Sequence, residues 1–442
     1  MSTSPPAQTL SPPGTPRSAW LQLAVVCLSE FVVWTGFGAI MPYLPIFLKE
    51  QAHSSLFMIG VIAAAFYLGT LLFSSPFGWL SDTIGRKPVI VGGIVLYSAA
   101  MFLFTRTADP YWFVLFRFLE GVGTAAVAPA SMALVADITT EQTRSKAYGI
   151  LTSAQFGGLI VGPALAPPIY AMAGGGKTGF YAIFYFGAAL AAGTAILAIA
   201  LIREPAVTHH RKAERAGKKA ERPRYRAILT PPIIAFLVIG FTAHLSMGGF
   251  EVVWSIWLEH LGASMAYIGL TWVAFSVPML LSFAGGMLAD KYSRFALMFA
   301  GYSISAVSWI LYGTTTNFVI FLIVNVVEGF AIAFSYPPKQ AFLIQVSPPK
   351  WLGTVTGIEA TSMQLAGMIG TFLAPVLYGW ISGYVLAVGG IVSLAGLAAT
   401  APVLRREWRR LAAQGPVPST HELEGRGGAL PVTTAEPPSS LE

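Results

Sequence analysis

The sequence predicts an all-α membrane protein: twelve transmembrane helices in two pseudo-symmetric six-helix bundles. Three observations carry this. Of the 442 residues, 55% are apolar or aromatic, and mean hydropathy is +0.65. Lys, Arg, Asp and Glu make up only 11%, against about 25% in a soluble domain, too little charge to cover a soluble fold of this size. Finally, residues of one half of the chain recur in the other at a fixed offset. An ordinary cytosolic enzyme, a disordered chain and a nucleic-acid-binding protein are excluded, despite the net charge of +7. Cys27 is the only cysteine, so neither an internal disulfide nor a paired-cysteine metal site can form.

Apolar runs of about 20 residues can cross the ~30 Å hydrocarbon layer as helices. Twelve qualify: 18–48, 56–80, 88–105, 111–136, 146–171, 179–202, 230–258, 265–289, 295–315, 317–346, 353–381 and 384–404. They are continuous and Gly-rich, whereas a β-barrel would show alternating segments of ~10 residues. Residues 1–17 are rich in Ser, Pro and Thr and read as a disordered tail. They are not a signal peptide, because the first apolar run is too long and shows no clear cleavage site. The expected organisation is a first bundle at 18–202, a basic linker at 203–229, a second bundle at 230–404 and a polar tail at 405–442. With the N-terminus inside, 22 of the 27 Lys and Arg fall on the inner face, nine of them in 203–226. Only Lys49, Arg106 and Lys177 fall outside. Inner faces are the basic ones, so both termini and the linker are expected in the cytoplasm, and contact with anionic lipid accounts for the excess charge.

The repeat has an offset of 208. Gly78, Leu80, Asp82 and Arg86 match Gly286, Leu288, Asp290 and Arg294. Glu120, Gly121 and Pro129 match Glu328, Gly329 and Pro337. Gly149, Gly162 and Tyr170 match Gly357, Gly370 and Tyr378. One offset without gaps implies halves of equal topology, related by an axis along the membrane normal. Transporters built this way bind substrate between the halves near the midplane.

The segment Gly78-Trp-Leu-Ser-Asp82-Thr-Ile-Gly85-Arg86-Lys87 resembles the signature loop of the major facilitator superfamily, with Thr83 where that family usually has Arg or Lys. The resemblance implies a latch that holds the inner gate closed, made by Asp82, Arg86 and Lys87, with Gly78 and Gly85 permitting close approach. Asp137 and Arg144 are placed to join it, and Asp290 and Arg294 form a weaker second copy. Arg117, Glu120, Gly121 and Gly123 resemble the superfamily's fourth-helix motif. Gly149, Gly158, Gly162 and Pro163 resemble the fifth-helix motif of its proton-driven antiporters, although Ala166-Pro167 replaces the usual closing pair of glycines. Ordinary small-residue helix packing is the alternative for those glycines. The likeness spans about 18–405 and is nearest to the twelve-span drug:proton antiporters.

Ionisable residues inside spans cost at least ~2.5–3.5 kcal/mol on insertion scales, so they are kept mainly for function or pairing. Here they are Glu30, Arg117, Glu120, His244, Glu251, Glu328, Lys339 and Glu359. At ~1.5 Å rise per residue, Glu30, Glu120 and Glu328 fall near the midplane and Glu251 nearer the outer side, where water can solvate it. In the superfamily the first, fourth, seventh and tenth helices line the central cavity, and these four acids fall one on each. Burial disfavours a carboxylate anion in general, so such groups can exchange a proton for a cationic substrate. Glu120 lies three residues from Arg117, and a structural ion pair is the alternative there. Lys339 reads as snorkelling to the inner edge, with Glu359 also near that edge. Trp34, Phe37, Trp254 and Trp257 are candidates to line an apolar, cation-binding cavity.

No nucleotide-binding loop, metal-ligand spacing or nucleophile–base grouping is present in the sequence, so neither enzyme chemistry nor a cofactor is expected. The expected function is proton-coupled efflux of a small amphipathic, drug-like compound by alternating access, in the plasma or inner membrane. The expected partners are that substrate, protons and the lipid bilayer, with no nucleic acid and a monomeric chain. The rivals are proton-coupled uptake of a metabolite, a lipid flippase, or a nutrient sensor on the same fold.

Overall fold

The computed structural model describes residues 16–204 and 228–413. The N-terminal tail up to residue 15, linker residues 205–227 and the chain beyond 413 lie outside the described residues, as does the side chain of Asp290. Twelve helical spans are long and apolar enough to cross a membrane. The first half holds spans 1 (Trp20–Glu50), 2 (Leu56–Ile84), 3 (Arg86–Leu103), 4 (Pro110–Ile138), 5 (Lys146–Met172) and 6 (Gly176–Leu201). The second holds spans 7 (Pro231–His260), 8 (Met265–Ala289), 9 (Arg294–Thr314), 10 (Phe318–Val346), 11 (Pro349–Ile381) and 12 (Tyr384–Ala413). Among the described residues there is no strand.

The expected runs and the spans agree to within a few residues except at the end. Span 12 continues nine residues past 404, where a polar tail was expected. Leu404, Trp408 and Leu411 recur at helical spacing and pack with Ile228, Phe236 and Phe342 in a small cluster, so the helix has an apolar face to bury there. The repeat reaches the caps: Asp109 and Asn317, 208 apart, both accept backbone N–H groups at the starts of spans 4 and 10.

Small residues set the tightest helix pairs. A Cβ on Gly162 would lie 2.4 Å from the Thr35 carbonyl oxygen, and one on Gly370 would lie 2.0 Å from that of Leu245. Span 5 therefore seats on span 1, and span 11 on span 7, at a separation only glycine allows. The halves meet along span 2 against span 11 and span 5 against span 8, two contacts that the pseudo-two-fold axis exchanges.

The contacts are tight at the end away from the basic loops, and that of spans 2 and 11 stays tight to mid-span, where Gly367 lies against Tyr67 and Gln364 donates to Thr70. At the far end a Cβ on Gly60 would come within 2.6 Å of the Phe372 carbonyl, and one on Gly269 within 2.6 Å of the Pro163 carbonyl. At the basic end, Gly78, Gly149, Gly286, Gly353 and Gly357 each have open space where a Cβ would stand. The molecule is thus sealed at the far end and parted at the basic end.

Candidate functional site

The seam between the halves carries a buried polar chain. Glu251 of span 7 accepts a hydrogen bond of 2.6 Å from the Tyr67 hydroxyl of span 2, in the other half. Glu251 is 7% exposed: span 2 covers it, so the solvation expected from its position along span 7 does not occur. The next residue, Phe66, stacks its ring 4.7 Å from the Arg117 guanidinium, and Arg117 donates to Glu120 at 2.7 Å. Glu120 keeps one carboxylate oxygen without a hydrogen-bond partner among the described residues. The ion pair foreseen as the alternative for Glu120 is present, and it lies one residue away from an inter-half hydrogen bond.

Glu30 occupies a second position, inside the first half. Trp34 and Gln155 each donate to its Oε2 at 3.1 Å, and Ser131 lies beside the same carboxylate. Trp34 and Phe37 are partly buried, with Phe37 against Trp34 and against Phe66 of span 2. These two aromatic residues join the Glu30 position to the seam.

Glu328 is in neither group. It accepts from Ser305 at 3.0 Å and from Tyr312 at 2.8 Å, both on span 9, which packs on spans 10 and 12. The four acids expected to share one vestibule therefore divide into a seam group, a first-half site and a separate second-half pocket. Trp254 and Trp257 also differ from expectation. Trp254 is fully buried, stacked on Phe250 and bonded to Thr271, and the Trp257 indole donates to the Tyr312 carbonyl. Their rings fill the interior of the second bundle, because the indole N–H groups find partners there rather than in a cavity. Lys339 does not snorkel: it is 0% exposed and pairs with Glu359, itself 3% exposed, so Glu359 is no interfacial residue.

At the basic end Arg86 bridges two carboxylates, Asp82 at 2.5 Å and Asp137 at 3.1 Å, and also donates to Ser81. Glu204, just past span 6, accepts from the backbone N–H groups of Arg86 at 2.6 Å and Lys87 at 3.0 Å. It caps the start of span 3, where N–H groups have no helical partner. Gly85 enters this cap at φ 112°, and a Cβ there would sit 2.8 Å from the Glu204 carboxyl carbon. Lys87 donates to the Ile199 carbonyl and Arg144 to that of Ala136. In the second copy Arg294 donates to the Ala289 carbonyl and to Gln345.

The far end is closed by groups that sequence reasoning missed. Lys49 and Glu259, from opposite halves, pair at 2.5 Å. The Tyr43 hydroxyl lies 3.3 Å from two carbonyls, Pro163 in its own half and Met265 in the other. The Pro163 carbonyl is available because position 167, four residues on, is also proline and has no N–H to offer. Gly158 and Gly162 pack span 5 on span 1, where the Pro163 ring also lies against Gly38, while the Pro163 carbonyl faces span 8. The Pro-x-x-x-Pro spacing was the one sequence signal for this contact; Tyr43, Tyr67, Gln155 and Glu204 left none.

A model of the Major Facilitator Superfamily matches residues 26–258 and again 236–434. The chain is 27% identical over 390 residues to multidrug resistance protein 2 of Bacillus subtilis, covering 85% of this chain and 94% of that one. It is 30% identical over 247 residues to multidrug resistance protein 1 of the same organism, covering 54% and 59%. Quinolone resistance protein NorA of Staphylococcus aureus is 26% identical over 251 residues, covering 54% and 59%. Among solved structures, a bacterial homologue of the human lysosomal transporter Spinster superposes with a TM-score of 0.72 at 14% identity, covering 92% of this chain and all of that one. A D-xylose–proton symporter superposes with a TM-score of 0.70 at 16% identity, covering 86% and 97%.

Proposed function

This chain belongs to the Major Facilitator Superfamily, and from that premise we propose that it exports a small amphipathic, drug-like compound across the cell membrane in exchange for protons. The observation that carries the proposal is the Tyr67–Glu251 hydrogen bond, a buried carboxylate made part of the contact between the halves. In the proposed cycle the basic end faces the cytoplasm, as do both termini, and the chain works as a monomer. With the far end closed, substrate reaches the seam from the cytoplasmic side. A cationic group near Glu251 or Glu30 favours the carboxylate form, and the proton leaves toward the less acidic face. The loaded carrier then parts the far-end contacts of Lys49–Glu259 and Tyr43 as the halves come together at the basic end; Arg86 with Asp82 and Asp137, already joined while that end is parted, keeps spans 2, 3 and 4 moving as one body. Protonation from outside displaces the substrate, and the protonated carrier returns. Arg117 holds Glu120, and Glu328 is a further protonatable group in the second half. Similarity to two proteins named for multidrug resistance supports the substrate class.

The test is an efflux and counterflow screen in proteoliposomes with an imposed pH gradient, using cationic, neutral and anionic amphipaths. Export driven by inward proton flow is expected for at least one class. Accumulation in the direction of proton flow would assign uptake instead, and transport indifferent to the gradient would remove the protons.

A further inference from the structure

The Lys339–Glu359 pair is used by none of the contacts above. Lys339 is 0% exposed, and Glu359 is its only hydrogen-bond acceptor among the described residues. An ammonium has three N–H donors, so two are left over in a place where burying them has a cost. Replacing a buried ion pair by apolar residues is often neutral or stabilising, so stability does not account for the pair. Three groups of spans 7 and 10 surround it. Gly240 of span 7 faces the amine: a Cβ there would make ordinary contact, 3.8 Å from Nζ. His244, one turn on, is half-buried, with Nδ1 engaged by the Gly240 carbonyl. The Tyr336 ring, 43% exposed, stands 5.8 Å from the ammonium. The amine thus lies one layer beneath the surface, between spans 7, 10 and 11, about 10 Å from the basic end of span 10 at ~1.5 Å per residue, where the halves are parted.

The internal repeat gives this position its meaning. Ser131 and Gln155, which reach Glu30 from spans 4 and 5, correspond at offset 208 to Lys339 and Met363 in spans 10 and 11. Met363 indeed packs beside Lys339 on Gly240. The place that holds an acid in the first half, Glu30, is Val238 in the second, and the charge there is the amine that stands where Ser131 does. We propose that Lys339 receives the carboxylate of a substrate that carries both a positive and a negative charge, Glu359 holding the ammonium between substrates. The inference rests on the amphipathic-substrate reading and narrows it to zwitterions.

The test compares two fluorescent dyes that differ only in one group: rhodamine 110, a free carboxylic acid, and rhodamine 123, its methyl ester. Binding to the purified full-length chain is read by fluorescence polarisation. In Lys339→Met with Glu359→Gln, a neutral swap that leaves no buried charge unpaired, rhodamine 110 affinity should fall at least tenfold while rhodamine 123 is unchanged. Glu359→Gln alone removes the competing carboxylate and should tighten rhodamine 110 several-fold, an effect that a purely structural pair would not give. An acid-to-ester affinity ratio equal in wild type and the double variant overturns the proposal while leaving the amphipathic reading intact. Failure of the wild type to bind either dye overturns both.

Discussion

At the scale of single residues, the molecule keeps charge inside a membrane only where another polar group meets it. Glu251 is held by Tyr67, Glu120 by Arg117, Glu328 by Ser305 and Tyr312, and Glu359 by Lys339. Glu251 differs from the others because its partner belongs to the opposite half. A hydrogen bond to a charged group contributes about 1.5–3 kcal/mol, and ~1.4 kcal/mol is a factor of ten in an equilibrium. Tyr67→Phe is therefore expected to shift the equilibrium between sealed and open far end tenfold or more toward open, read as faster labelling of a cysteine introduced at the far end in a Cys27→Ser background. Glu30→Gln keeps the shape and the Trp34 and Gln155 contacts but cannot lose a proton. Efflux driven by a pH gradient should vanish in that variant, with membrane insertion intact; undiminished efflux would remove Glu30 from the coupling.

At the scale of elements, two structures hold the ends of the bundle. At the basic end, Arg86 draws span 2 and span 4 together through Asp82 and Asp137, and Glu204 ties span 6 to the start of span 3. Asp82→Asn removes one charged partner of Arg86 and should slow transport several-fold with substrate affinity unchanged; wild-type rates would make the loop a topology signal only. Glu204→Ala leaves two N–H groups of span 3 without their acceptor. Loss of such a cap costs about 0.5–2 kcal/mol, so a lowered unfolding temperature in detergent is expected. At the far end, Lys49 and Glu259 are part-exposed, and pairs of that kind contribute at most about 1 kcal/mol. The tight Gly60–Phe372 and Gly269–Pro163 approaches hold that end, and the ion pair sets its register.

For the whole molecule, the proposed cycle makes the far-end seal and the parted basic end one member of a two-state exchange in which each end closes as the other opens. Gly60→Val places side-chain atoms against the Phe372 backbone, which cannot yield unless spans 2 and 11 separate. In a Cys27→Ser background, Gly357→Cys should react readily with a membrane-impermeant maleimide applied to the basic end. Adding Gly60→Val should slow that reaction several-fold, because opening the far end closes the basic one. Equal labelling with and without Gly60→Val would show that the two ends move independently.

The sequence by itself determined the twelve spans, the two equivalent halves, the basic end and which acids lie inside the apolar runs, because each is written in local composition, in charge bias or at a fixed offset. Only the tertiary structure decided which acids meet. Glu251 looked solvated and proved to be sealed by Tyr67, Lys339 looked interfacial and proved to be buried against Glu359, and Trp254 proved to be core. Helical spacing fixes how deep a residue lies along its own span, but the direction it faces depends on the rotation and tilt of neighbouring helices. Those are set by glycine approaches such as Gly162 on Thr35 and Gly370 on Leu245, contacts between spans far apart in the chain that leave no pattern within either one.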